Sequence, residues 1–524
     1  MSTTDLRLSI RKKSWFTLIV VLVLAVLVFA VSKGANVKSD WSDNQTSSLS
    51  ASTKQVLAQL DEPIQIKAYF TADLPQPYGQ LKQYVEDKLS SYHEAGRGNV
   101  GFEMINPDDD PNVAASLAAL NIPKVQVQVV EDDRAQVRQA YLAIVIEYLD
   151  KQEMIPVVQT DVGFEYLLTR KIKKISGKGK QTMAVATGFG ASDLSKLTTL
   201  QQLLQDDYDF VEVELDKEGV PAEAKALIVD GLDQQPSEAF RYRLDQFRMT
   251  GAGVLVLAAN AEPQLSQGFS VLPTDAYANV WLHDDLGVSV EPGMVMDKQA
   301  SRISVNQRQG NFQFRSVVDY PFISNVVDIN ENHAMTQGLE GVSMAFAAPL
   351  LWVNPDEHKS VLLTSSAWSA VQAGPTFDVD PLVDMRERFQ GLSLSPQALM
   401  LAQDGVMKSA FANPPAGVSL EVGQQHLAQT ENGRLLISGS APLLDNEFID
   451  GGNTVLILNM LDWLSHDEAL IELRSRGVSQ RPLEPLGNAE RTFFKMFWIF
   501  GLPILVLMFA AGRWLGLRKR RALA

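Results

Sequence analysis

The chain contains no cysteine. Disulfides, thiolate metal sites and cysteine nucleophiles are therefore excluded. Histidine is scarce, with six residues at His93, His283, His333, His358, His426 and His466. None stands in H-x-x-x-H or H-E-x-x-H spacing, so the sequence offers no helical zinc site. No G-x-S-x-G is present, so no nucleophile elbow is indicated. Positive charge is also in short supply, with 46 Lys and Arg against 62 Asp and Glu and a net charge of -16. A nucleic-acid binder needs a broad basic surface to neutralise phosphates, so nucleic acid is excluded as a partner.

What the chain has is length, an ordinary apolar content and two hydrophobic ends. Its 524 residues exceed what one core serves, which predicts two or three domains. The stretch WFTLIVVLVLAVLVFAV (15–31) has no charge, proline or glycine and follows Arg7, Arg11, Lys12 and Lys13. The stretch MFWIFGLPILVLMFAAG (496–512) precedes RWLGLRKRRALA, which carries Arg513, Arg518, Lys519, Arg520 and Arg521 and no acid. Each is long enough to approach the ~20 residues that cross a bilayer. The basic clusters lie on the terminal sides, which predicts both termini in the cytoplasm by the positive-inside rule. The expectation is a two-span protein of the bacterial inner membrane with an acidic extracytoplasmic body, its first span an uncleaved anchor.

Along the body the periodicity alternates between strand and helix. IQIKAYF (64–70) and VGFEMIN (100–106) read as strands, and KVQVQVVE as a third. PYGQLKQYVEDKLSSYHEAG (77–96) reads as a helix with Leu81, Tyr84, Val85, Leu89 and Tyr92 on one side. NVAASLAALN (112–121) reads as a short helix, and YLAIVIEYL with EMIPVVQ as a hairpin. DVGFEYLLTRKIKKIS (161–176) is a helix whose basic end suits its dipole. The resulting order, β-α-β-α-β-β-β-α, predicts a thioredoxin-like α/β domain, but without C-x-x-C it has no redox chemistry. A second run follows with strands TMAVATG, FVEVEL, KALIVDG and GVLVLAA and helices over 194–207 and 236–251. This predicts a larger parallel-sheet domain. Residues 263–430 are not divided, and order returns with RLLISGS (434–440) and a helix over 453–468.

Three local motifs have plainer readings. TGFGASDL (187–194) lacks the third glycine of G-x-G-x-x-G and reads as a tight strand-to-helix turn. SGKGKQT (176–182) would need Gly at Lys174 and Ser or Thr at Gln181 to be a phosphate loop. NPDDDP (106–111) lacks the alternating acids of a calcium loop and reads as a turn that caps the next helix. No catalytic, cofactor-binding or metal-ligating residue is assigned, and no cofactor is expected.

Several stretches resemble the GldG family, the auxiliary subunit of gliding-motility-type ABC transport systems. They are SLSASTKQVLAQLDEPIQIKAYF, INPDDDP, FEYLLTRKIKKI with MAVATGFG, NHAMTQGLEG, VLLTSSAWS and NMLDWLSHDEALIELRSRGVSQRPL. The resemblance implies a second domain similar to class I glutamine amidotransferases; without cysteine it cannot have their activity. It also implies an ABC ATPase and a multi-span permease as partners, with an extracytoplasmic protein or cell-envelope partner beyond them. The expected layout is a basic tail (1–14), a span (15–33), a linker with an opening helix (34–62), a first α/β domain (63–178), a second (179–480), a linker (481–494), a span (495–514) and a basic tail (515–524). The functional expectation is a non-enzymatic auxiliary subunit. A solute-binding receptor is the alternative, and an extracytoplasmic hydrolase with an unrecognised site the second alternative.

Overall fold

In a computed structural model, the described residues run from 48 to 474, apart from 132–133, 178–179, 265–268, 310–311, 419, 421–424, 450 and 472. Beyond them only 492, 495–497 and 500–501 are described. The chain divides into a unit Met1–Ser479 and a unit Gln480–Ala524. The elements below belong to the first.

Helix α1 (Ala51–Ala58) opens on Ser50, whose hydroxyl accepts from the Thr53 amide at 2.9 Å. A four-stranded sheet follows, built from β1 (Ile64–Phe70), β2 (Val100–Ile105), β5 (Leu142–Tyr148) and β6 (Lys151–Ile155) in the order β2-β1-β5-β6. Strands β1 and β2 are parallel, with Ile64 opposite Val100, while β5 runs antiparallel to β1, with Ile66 opposite Ile146. Helices α2 (Tyr78–Ala95) and α4 (Phe164–Ser176) cover one face around Val85, Leu89, Tyr92, Leu168 and Ile172. Helix α3 (Pro111–Ala119) contributes Leu117 to a smaller cluster with Tyr69, Ala143 and Val145. Strand β3 (Val125–Glu131) does not join this sheet. It pairs with β4 (Arg134–Ala140), which the sequence pattern did not reveal, as a separate hairpin.

The second sheet is mixed. It contains β7 (Gln181–Ala186), β8 (Tyr208–Val213), β9 (Ala224–Asp230) and β10 (Gly253–Leu257), followed by strands Gln429–Ser438, Ala398–Lys408, Leu350–Trp352 and Val288–Val290. The pairs from β8 through β7, β9 and β10 to Gln429–Ser438 are parallel. From Gln429–Ser438 outward they are antiparallel. Strands β7, β9 and β10 are nearly continuous apolar runs because both faces are covered. On one face lie α5 (Thr198–Leu204) and α7 (Gly451–Leu464), with Leu200, Leu456 and Met460. On the other lies α6 (Glu238–Met249), with Phe240 and Leu244.

Two expectations are corrected. The larger domain was expected to be a parallel sheet, yet short strands from the undivided 263–430 region extend it antiparallel. A three-residue strand such as Leu350–Trp352 is too short to show a period. The α/β class stands, but the two-span membrane reading does not. No helix among the described residues is long and apolar enough to cross a membrane. The most apolar long element, α7, has 14 residues and is packed into the core. An inner-membrane placement with both termini cytoplasmic and the body outside falls with that reading. Its physical basis was hydropathy and length, which describe what a segment can do without showing that it forms a continuous helix. The first stretch (15–33) and most of the second (495–514) lie outside the described residues, as do both basic tails and residues 34–47 of the first linker.

Candidate functional site at the carboxyl edge of the large sheet

In the order β10-β9-β7-β8 the chain leaves β7 to one side for β8, then returns to its other side for β9. The reversal opens a crevice beyond the carboxyl ends of β7 and β9, where open α/β sheets hold their ligands. The turn after β7 is the TGFGASDL segment. Gly188 and Gly190 have φ of +100° and +83°, a left-handed backbone that favours glycine. The amide of Ser192 then donates to the Asp230 carbonyl at 2.8 Å, and that of Asp233 to the Phe189 carbonyl at 3.0 Å. These bonds hold the two strand ends together.

The resulting pocket has a volume of about 40 Å³ and is bordered by Ser192, Lys196, Asp230, Asp233, Glu262 and Asp445. Asp230 ends the buried run of β9 and is 1% exposed. Its Oδ2 has no hydrogen-bond partner among the described residues. Burial, reinforced by the charge of Asp445, pushes its carboxyl up to about 8, against the opposing pull of Ser192 and Lys196. Burial also lifts Asp445 to about 6, while Lys196 draws it down. The Lys196 Nζ lies 3.2 Å from Glu262 Oε1. The pocket thus holds four carboxyl groups and one ammonium.

Beside it, sharing Thr274, lies a larger groove of about 640 Å³. Pro273, Val280, Val290, Pro292, Pro375 and Phe377 give it an apolar lining. Asn260 and Asn279 also line it, each tied back by its amide nitrogen. Asn260 Nδ2 donates to the Glu291 and Gly293 carbonyls, both at 2.7 Å, and Asn279 Nδ2 to the Ala259 carbonyl at 2.9 Å.

The motifs noted in the sequence fall elsewhere or serve the fold. Asp110 caps α3 by accepting from the Asn112 amide at 2.8 Å, and Asp109 accepts from Asn106 at 2.7 Å. The basic end of α4 is matched by acids. Lys174 meets Glu153 at 2.8 Å and Asp206 at 3.0 Å, and Arg170 Nε donates to Asp207 at 3.0 Å. The histidines are scattered. His93 Nδ1 lies 2.6 Å from the Val100 carbonyl, His333 packs edge-on against Trp463, His426 stacks on Tyr242, and His466 Nε2 lies 2.9 Å from the Gly251 carbonyl. His283 sits 3.0 Å from Asp284, and His358 is 3.9 Å from Glu357. Among the described residues no group of three or more His, Asp or Glu is arranged to hold a metal. SGKGKQT lies partly outside the described residues.

Sequence reasoning singled out the glycine turn but neither Asp230 nor Asp445. The available signal was an acid closing a buried-type strand, in KALIVDG. An aspartate at that point is either solvated beyond the sheet or trapped at its edge, and one sequence does not separate the two.

A family model described as an ABC-type uncharacterized transport system matches residues 171–468. A domain of unknown function matches residues 43–147. An uncharacterized protein of Borreliella burgdorferi is 20% identical over 524 residues, covering 96% of this chain and 97% of its own length. Among solved structures, the mmIFT52 N-terminal domain is 13% identical, with 54% of this chain and 97% of that one covered at a TM-score of 0.33. The structure of PurLQS from Thermotoga maritima is 10% identical, with 54% and 99% covered at a TM-score of 0.26. Scores this low carry no inference about fold or function. The family match spans more than half of the chain and agrees with the GldG-type resemblance, so the chain belongs to the ABC-type uncharacterized transport system family, as an auxiliary component.

Proposed function

We propose that the chain is a non-enzymatic auxiliary subunit that couples an ABC ATPase and a multi-span permease to a further protein partner. The observation that carries this reading is the family match over residues 171–468. Family membership supports the association with a transport system.

The test is affinity purification of the tagged full chain from cells extracted in mild detergent. Recovery of an ATPase and a permease in constant ratio is expected. Repeated recovery of the chain alone, under conditions that keep other ABC assemblies intact, overturns the reading.

A solute receptor is the second reading. The observation in its favour is the 640 Å³ groove beside the pocket, which is within the ordinary size range of ligand sites.

A further inference from the structure

The acidic pocket and the apolar groove are direct neighbours. They share Thr274, whose hydroxyl donates to the Ala259 carbonyl at 3.1 Å. The Asp275 amide, on the groove side, donates to the Asp233 carbonyl, on the pocket side, at 3.2 Å. We infer that this crevice binds a primary ammonium group carried on an apolar stem, with the ammonium in the carboxyl pocket and the stem in the groove.

Three observations carry the inference. First, the pocket is short of positive charge: Asp230, Asp233, Glu262 and Asp445 face a single cation, Lys196. That cation is engaged by Glu262 at 3.2 Å. Second, Asp230 is buried with its Oδ2 unpartnered, which costs free energy unless a donor reaches it. Third, the groove's own polar groups are set as acceptors. The amide nitrogens of Asn260 and Asn279 are used on backbone carbonyls, so only their oxygens remain to meet a ligand, and those accept. Asp275 accepts from the Tyr277 amide at 2.8 Å through one carboxylate oxygen. Such a lining favours a donor-rich cation and repels an anion. A volume of about 40 Å³ admits a compact ammonium head.

The same chemistry has two sources, a free amine or a lysine side chain of a partner protein. The inference goes beyond the coupling role and stands or falls separately from it, since it concerns binding by the isolated full chain. Binding also moves a proton. Below about pH 8 Asp230 is protonated, and an incoming ammonium favours its carboxylate. The charged groups around it are Asp233, Asp445, Glu262 and Lys196, of which Asp445 is raised by burial to about 6. Affinity therefore rises between pH 6 and pH 8, with proton release to the buffer.

Calorimetry with phenethylamine, 2-phenylethanol and phenylacetate tests the free-amine arm. Two capped tripeptides, acetyl-Pro-Lys-Phe-amide and its norleucine counterpart, test the partner-lysine arm. Phenethylamine or the lysine peptide should bind, and the uncharged and anionic analogues should bind at least tenfold more weakly. Asp445→Asn should weaken the cation about tenfold, the loss expected for one charged hydrogen-bond partner. Lys196→Met, which removes the competing cation, should bind at least as tightly as the parent. Selective binding of the amine assigns a solute, and selective binding of the lysine peptide assigns a partner side chain. If neither cation binds, or if 2-phenylethanol binds as well as phenethylamine, the inference is overturned. The same holds if Asp445→Asn, shown to be folded by circular dichroism, binds the cation unchanged.

Discussion

Gly190 and Asp233 are packed so closely that a Cβ on the glycine would stand 1.8 Å from the aspartate Oδ1. Gly190 also has φ of +83°, so the contact and the backbone independently require glycine. Gly190→Ala is expected to cost about 1–3 kcal/mol, from left-handed strain and displacement of the carboxylate. Asp233→Ala in the same chain removes only the contact. In urea titrations the double variant should recover part of the loss; recovery of all or none of it would show that only one of the two causes operates.

Asp230 makes stability depend on pH. Its folded-state value, about 8, lies above that of an unfolded aspartate, so the folded chain holds the proton more tightly. Its contribution is complete below the unfolded value near 4 and is lost as pH rises to about 8. Relative to Asp230→Asn, the parent should lose up to about 1.4 kcal/mol per pH unit across that window and level off above it. Urea midpoints of both proteins at intervals from pH 5 to pH 9 measure the difference. A gap independent of pH would contradict the burial argument.

A buried charge pair ties the end of α7 to the chain that follows it. Arg474 donates to Asp462 at 2.6 Å and to Asn459 at 2.5 Å, with both charged side chains under a tenth exposed. Burial opposes the charge of Arg474, but Asp462 and Tyr166 outweigh it and raise its affinity for the proton. Tyr208 donates to the other Asp462 oxygen at 2.7 Å. Arg474→Met leaves a buried carboxylate without its cation and should cost about 3–5 kcal/mol. Arg474→Met with Asp462→Leu should cost clearly less than the sum of the two single changes, because the pair acts as a unit. A double-mutant cycle by chemical denaturation measures the coupling.

Glu165 plays the same part in the smaller sheet's helical layer. Its Oε1 accepts from the Ser50 amide and the Thr53 hydroxyl, each at 2.8 Å, and its Oε2 from Lys88 at 3.1 Å. Glu165→Ala strands the Lys88 ammonium, whose side chain is 4% exposed, and removes two partners from the start of α1. A loss of about 3–5 kcal/mol is expected, and Glu165→Gln should cost less, because its one carbonyl oxygen still accepts the Ser50 and Thr53 bonds while its Nε2 cannot accept from Lys88. Hydrogen exchange should show the first amides of α1 deprotected before those of β1. Simultaneous loss of protection in both would mean that the network does not anchor α1 locally.

The sequence by itself determined the elements whose period is long and clean. IQIKAYF coincides with β1, PYGQLKQYVEDKLSSYHEAG contains α2, and PSEAFRYRLDQFRMTG contains α6, because alternation and 3.6-residue spacing are local properties of the chain. It also determined the lack of thiol chemistry and the glycine turn after β7. Tertiary structure alone decided that β3 leaves its sheet for a hairpin with β4, and that short strands from 263–430 turn the large sheet antiparallel. It alone set Asp230 and Asp445 at one crevice, although 215 positions of chain separate them. Strand pairing and charge burial depend on which distant segments meet, and no local period records that.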